Sequence, residues 1–204
     1  MIPGKTTLLK LLSLCLSYPD AALVGSLPEA REAIQGLPDS EAKDKLARFA
    51  VYLEEQPALA LQEHYTAAFD LNPAASLNLT YHLMGDHEDR GRALAELHGL
   101  YLQAGYELAF NELPDYLPLV LEFLAQAPDS ETNDLLGRCL TALPAITAAL
   151  RKNNSGYAVP LELLCDVFPQ PEEERTDRPV ATDPAETLGP RQSAEGFLHK
   201  HRGD

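Results

Sequence analysis

Positive charge is scarce in this sequence. Sixteen Lys and Arg stand against 31 Asp and Glu in 204 residues, a formal net charge of −15. That shortage argues against nucleic acid, because no basic stripe is available to displace counterions from phosphates. Anionic membrane surfaces are disfavoured for the same reason, whereas a basic or mixed peptide would be attracted. Cysteine is also sparse. Cys15, Cys139 and Cys165 lie far apart, each inside an apolar run, with no Cys-x-x-Cys. Such a set supports no disulfide framework and reads as buried free thiols in a reducing compartment. Long hydrophobic runs are missing too: no window approaches the ~20 uninterrupted apolar residues of a membrane span. Near the start, Lys10 interrupts the apolar run and no small-x-small cleavage site follows closely, and Leu14 stands where a lipoprotein box wants a small residue before Cys15. The expectation is a cytoplasmic protein without stable membrane insertion.

Motifs that carry chemistry are equally few. There is no Gly-x-Ser-x-Gly, P-loop or dinucleotide fingerprint; Gly4-Lys5-Thr6 lacks the preceding strand and glycine of a phosphate loop. Paired carboxylates for acid–base work cannot be singled out among 31 acids. The richest group of potential ligands is His82, Asp86, His87, Glu88, Asp89 and His98. Metal ligands on a helix recur at three or four residues, and His82 and His87 are five apart across a helix start. No metal and no cofactor are expected, and the residues argue for binding rather than catalysis. The alternative is a small metal- or cofactor-dependent helical enzyme using the His82–His98 region.

What the sequence does hold is helical periodicity. Its 45% hydrophobic content is ample for a core. Thr6 or Thr7 can cap a first helix carrying Leu8, Leu11, Leu12, Cys15 and Leu16, which Tyr18-Pro19-Asp20 ends. A second runs from Asp20 or Pro28 to Gln35 and is closed by Gly36; Asp39 or Ser40 opens a third, stopped at Gln56-Pro57. Leu61, Tyr65, Ala68 and Phe69 mark a fourth. After a loop, Asp86 is read as the cap of a long helix with Leu94, Leu97, Leu100 and Tyr101 inward and Gly105 just beyond its end. The most apolar helix follows. Asp115 is its expected N-cap, Pro118 falls in its first turn, and Leu117, Val120, Leu121 and Leu124 recur at helical spacing with Leu119 and Phe123 beside them. Seven residues is two turns, so Asp115 and Glu122 would share one polar stripe. Pro128-Asp129 divides this helix from another carrying Leu135, Leu136, Cys139, Leu143 and Ile146, in which Pro144 predicts a kink or break. A last helix covers about 160–167. No strand alternation is present.

From Pro169 onward prolines alternate with charge, including Glu172-Glu173-Glu174, and large apolar residues become rare. Such a segment cannot bury enough to offset its ordering entropy. The expectation is therefore one all-α domain of seven to nine helices over 1–168, followed by an acidic, Pro-rich, disordered tail over 169–204. Phe197-Leu198 reads as a frayed end rather than a docking element.

Two blocks go beyond composition. Residues 79–94, Leu-Thr-Tyr-His-Leu-Met-Gly-Asp-His-Glu-Asp-Arg-Gly-Arg-Ala-Leu, are followed by Gly-Tyr-Glu-Leu at 105–108 and Asn-Glu-Leu-Pro-Asp-Tyr-Leu-Pro-Leu-Val-Leu-Glu-Phe-Leu at 111–124. Together they resemble the delta subunits of respiratory nitrate reductases, within the all-helical redox-enzyme maturation proteins. Leu-Leu-Ser-Leu-Cys-Leu-Ser-Tyr-Pro-Asp at 11–20 and Tyr-Thr-Ala-Ala-Phe-Asp at 65–70 are similar to the same family. The match covers roughly 6–168. It implies a non-enzymatic chaperone that binds the N-terminal segment of the apo catalytic (alpha) subunit, permits molybdenum cofactor insertion and delays docking to the membrane anchor. By position, the family's Glu-Pro-Asp-Tyr signature falls on Glu112, Pro114, Asp115 and Tyr116, with Leu113 intervening here; the turn and cap fall on Tyr81, Gly85, Asp86 and Arg90. An apolar groove rimmed by acids could take an amphipathic client helix, with Asp115 and Glu122 on the rim and Tyr116 as an amphipathic anchor.

Overall fold

The computed structural model describes residues 4–108, 112–127, 133–170 and 198–200. Ten α-helical segments are ordered along it: α1 Lys5–Cys15, α2 Ala21–Gln35, α3 Glu41–Glu55, α4 Ala58–Tyr65, α5 Leu79–Met84, α6 Glu88–Gln103, α7 Leu117–Gln126, α8 Asp134–Leu140, α9 Leu143–Lys152 and α10 Ala158–Val167. The all-α expectation holds. A π-helical turn, Thr66–Asp70, continues α4, and a 3-10 turn, Pro73–Ala75, leads towards α5. Pro144 sits as the second residue of α9, where its missing N–H leaves no gap, so the expected break separates α8 from α9.

Several boundaries follow from local chemistry. Asp20 caps α2 by accepting from Leu23 N at 2.9 Å, and Ser40 caps α3 through Lys43 N at 3.2 Å. Pro28, one of the two proposed starts of the second helix, instead lies inside α2. α1 opens at Gly4, whose φ of 80° suits glycine, and not at Thr6 or Thr7. α6 is capped by His87, whose Nδ1 accepts from Asp89 N at 3.3 Å, so Asp86 stands one residue outside the cap assigned to it. Gly105, with φ 81°, closes α6 as expected. Pro128-Asp129 lies outside the described residues.

α7 is the core. Leu117, Pro118, Leu119, Val120, Leu121, Phe123, Leu124 and Ala125 are all buried, leaving Glu122 and Gln126 as its half-buried polar positions. Its six large apolar side chains bring on the order of 10 kcal/mol of gross burial energy, at ~1.5–3 kcal/mol each. α1 packs along it, and Ser13 Oγ on α1 donates to Pro118 O at 2.7 Å. α2 pairs with α3, and α9 with α10. Tyr65, Phe69, Tyr157 and Phe49 form an aromatic cluster with centroid separations of 5.0–5.7 Å for the contacts that Tyr157 makes. Cys15 and Cys139 are buried and Cys165 is half-buried, all as free thiols. No helix among the described residues is long and apolar enough to cross a membrane.

One feature departs from a purely helical plan. Tyr106–Leu108 (β1) pairs antiparallel with Leu198–Lys200 (β2), in the register Tyr106↔Lys200, Glu107↔His199 and Leu108↔Leu198. Thus the expected frayed end at Phe197-Leu198 gives way, from Leu198, to a paired strand. The remainder of the tail, 171–197 and 201–204, lies outside the described residues.

Candidate functional site

The sequence-predicted residues fall around the loop that precedes α7. This loop is stitched to the segment entering α5 by two backbone bonds: Leu79 N donates to Asp115 O at 3.1 Å, and Leu117 N to Leu77 O at 2.8 Å. They flank an isolated antiparallel bridge between Asn78 and Tyr116. α7 therefore begins only at Leu117, with Tyr116 at the cap position and no side-chain cap bond.

Asp115 is not the N-cap of α7. Its side chain turns inward, has no exposed surface (0%), and accepts at Oδ2 from Thr80 N at 3.0 Å and from Thr80 Oγ1. Thr80 Oγ1 in turn accepts from Arg90 Nε at 3.2 Å. Oδ1 has no hydrogen-bond partner among the described residues. Burial pushes the Asp115 carboxyl above its ordinary value, against the lowering effects of Thr80 and the Arg90 guanidinium. Asp115 is thus neither a cap nor a rim carboxylate: the backbone N–H and hydroxyl of Thr80, near the start of α5, take it into the interior.

Tyr116 is likewise buried (1% exposed). Its hydroxyl lies 2.8 Å from that of Tyr65, which also donates to Leu16 O at 3.1 Å. Pro114 is buried, and its carbonyl accepts from Tyr101 Oη at 2.6 Å, joining the loop to α6. On the outer side, Arg90 lies over the Tyr81 ring at 5.9 Å and 3.8 Å from Asp86 Oδ1. Gly85 closes α5 with φ 58° and ψ −140°, a conformation that glycine alone adopts readily. The structure thus gathers Tyr81, Asp86, Arg90, Pro114, Asp115 and Tyr116 into one network. Glu112 is half-buried ahead of the loop, and Glu122, on α7, accepts from Gln126 Nε2 at 3.1 Å.

Sequence reasoning missed Thr80, Tyr101 and Tyr65 as members of this network. Tyr65 and Tyr101 read locally as helix residues, Thr80 falls in the stretch read as a loop ahead of Asp86, and the Thr80–Asp115 bond spans a separation of 35 residues. The histidine group does not converge. His82 Nε2 contacts Ser76 O at 2.8 Å, His87 caps α6, and His98 is exposed. Burial lowers the His82 pKa. Among the described residues no group of three or more His, Cys, Asp or Glu side chains is placed to hold a metal ion. Chemically the arrangement can fix a backbone geometry and present acids; among the described residues the loop contains no assembled nucleophile and base.

The helical fold is shared with a crystal structure from Archaeoglobus fulgidus of a candidate redox enzyme maturation protein. The TM-score is 0.59 over 81% of this chain and 94% of that one, at 23% identity, a likeness of fold. The chain belongs to the nitrate reductase delta subunit family, whose model matches residues 36–160. It is 40% identical over 159 residues to the Escherichia coli (strain K12) nitrate reductase molybdenum cofactor assembly chaperone NarJ, covering 76% of this chain and 67% of that protein. It is 32% identical over 187 residues to the Bacillus subtilis (strain 168) protein named as a probable chaperone of the same kind, covering 92% of each.

Proposed function

We propose that this protein is a cytoplasmic assembly chaperone for a respiratory nitrate reductase. It binds the apo catalytic (alpha) subunit through that subunit's N-terminal segment, keeps it open to molybdenum cofactor insertion, delays docking to the membrane anchor, and leaves the finished enzyme. It carries out no reaction of its own. The observation that supports this most strongly is the identity, over three quarters of the chain, to a relative named as a nitrate reductase molybdenum cofactor assembly chaperone.

The physical basis is an acidic helical body with a fixed loop at its centre. A net charge of −15 draws in a basic peptide segment and speeds encounter. Asp86, Glu88 and Asp89 are exposed at the head of α6, and Glu122 is half-buried on α7. Glu112 and Glu122 orient the basic side of the client, while Asp115 and Tyr116 act from inside by holding the loop. A segment that orders on binding forfeits ~2–5 kcal/mol, which keeps affinity moderate and release fast enough for a transient partner.

Calorimetric titration with a synthetic peptide from the start of the catalytic subunit tests the reading. Wild-type protein should bind it, and Glu112→Lys with Glu122→Lys should weaken binding at least tenfold, ~1.4 kcal/mol, with an unchanged circular dichroism spectrum. No binding by wild-type protein, together with full nitrate respiration in cells lacking it, would overturn the proposal.

A further inference from the structure

The β1–β2 ribbon is the one piece of sheet among the described residues, and it joins segments far apart in sequence. β1 is firmly seated. Tyr106 is buried, with its ring edge-on to Phe123 of α7 at 5.9 Å, and the strand follows directly on α6. β2 lies against α7 as well as β1. The late strand therefore occupies the flank of the central helix.

Charge matches this placement. Phe197-Leu-His-Lys-His-Arg202 contains no acid and carries Lys200 and Arg202, in a chain of net charge −15. Glu107 stands directly opposite His199 in the register. Leu198–Lys200, the stretch of this basic segment that the structure describes, is thus paired in extended form with β1 on an acidic body, with backbone pairing for affinity. The pairing is only three residues long, and a two-stranded ribbon of that size is marginal by itself. Unfilled, the β1 edge would present open backbone donors and acceptors.

We infer that β1 is a strand-accepting edge, that Leu198–Lys200 is its resident occupant in cis, and that this occupant is a placeholder displaced by a basic, apolar segment of the client. The displacement step rests on the assembly-chaperone reading above. The tether holds the late strand near the edge at an effective concentration of order 1 mM, so only a segment with additional contacts along α7 outcompetes it. Premature or unrelated peptides are screened out, and the edge stays covered between clients.

The test uses the full-length chain. A fluorescent peptide of residues 195–204 is titrated against wild type and against Leu198→Pro/Lys200→Pro, which cannot keep the ladder in cis. The proline variant should bind the peptide at least tenfold more tightly than wild type; equal binding, or none to either, overturns the strand-accepting edge. A second variant, Glu107→Cys/His199→Cys, places thiols on directly opposed residues, whose ~4.5–5.5 Å Cα separation suits a disulfide. Oxidation should weaken binding of the synthetic client peptide at least tenfold, with recovery on reduction, and the client peptide should displace the labelled one from the proline variant. Client binding that neither responds to the lock nor displaces the labelled peptide overturns the placeholder role and leaves the chaperone reading standing. Failure of the client peptide to bind any form removes both the chaperone reading and the displacement step, while the labelled peptide still decides the edge.

Discussion

Removing the carboxylate of Asp115 is the most informative single perturbation of the loop. Asp115→Ala deletes two hydrogen bonds accepted from Thr80 and leaves a buried backbone N–H and a buried hydroxyl without that acceptor. Bonds to a charged acceptor contribute ~1.5–3 kcal/mol each and orphaned buried donors cost ~1–3 kcal/mol. Relief of charge burial offsets part of the loss, which leaves about 2–4 kcal/mol. In a domain of this size that corresponds to a fall in Tm of about 6–12 °C, read by thermal circular dichroism. The pH dependence isolates the charge. The folded-state pKa of Asp115 is raised, because burial outweighs Thr80 and Arg90. Its protonated form is thus favoured by folding: the contribution is complete below the unfolded value of about 3.9 and is lost as pH climbs through the folded value. Asp115→Asn lacks that loss. The stability difference between wild type and Asp115→Asn should therefore shrink between pH 4 and pH 7. A difference that grows with pH would mean that Arg90 and Thr80 win over burial, and the account of the loop would be refuted.

Three further outcomes follow from the same geometry. Gly85→Ala should cost about 1–3 kcal/mol, since φ 58° with ψ −140° is a glycine conformation, and thermal melting measures it. Tyr65→Phe and Tyr116→Phe should each cost ~0.5–1.5 kcal/mol, with a double-mutant cycle showing clear coupling through their 2.8 Å hydroxyl contact. Ellman titration of native protein at pH 8 should register at most the half-buried Cys165 quickly, because Cys15 and Cys139 are buried with thiols pushed up to about 12; guanidinium should release all three.

Legibility in the sequence tracked how local the deciding interaction was. Asp20 and Ser40 were each readable as one of two candidate helix starts because the groups that they satisfy lie three residues on. The burial of α7 and the break ahead of Pro144 were readable for the same reason: periodicity and proline act within one or two turns. Asp115 was misread because the same local signal, an acid just before a helix with proline in its first turn, was outbid by Thr80 on a distant helix. Asp86 and His87 compete for one cap only a residue apart, a margin that sequence cannot resolve. Three-residue strands show no alternation to detect, and β1 and β2 exist through each other. The family resemblance covered the helical body yet said nothing of the late strand, which lies outside the stretch that carries it.

The position of Asp115 and Tyr116 changes how loss-of-function variants at this loop should be interpreted. From these adjacent residues two hydroxyl-linked chains lead away, one through Thr80 to Arg90 on α6, the other through Tyr65 to the end of α1. Pro114 adds a third tie to α6 through Tyr101. A client that never touches Asp115 would still be lost when Asp115 is changed, because the loop fixes where α5, α6 and α7 stand relative to one another. Binding assays alone would then mark Asp115 as a contact residue. Affinity and Tm measured on the same variants separate the two cases. A true contact such as Glu122 should move affinity with Tm held constant, whereas Asp115 and Tyr116 should move both together, and affinity at a temperature well below the lowered Tm should recover towards wild type. Persistent loss of affinity in an Asp115→Asn protein that is fully folded at the assay temperature would show that the buried carboxylate does more than hold the loop.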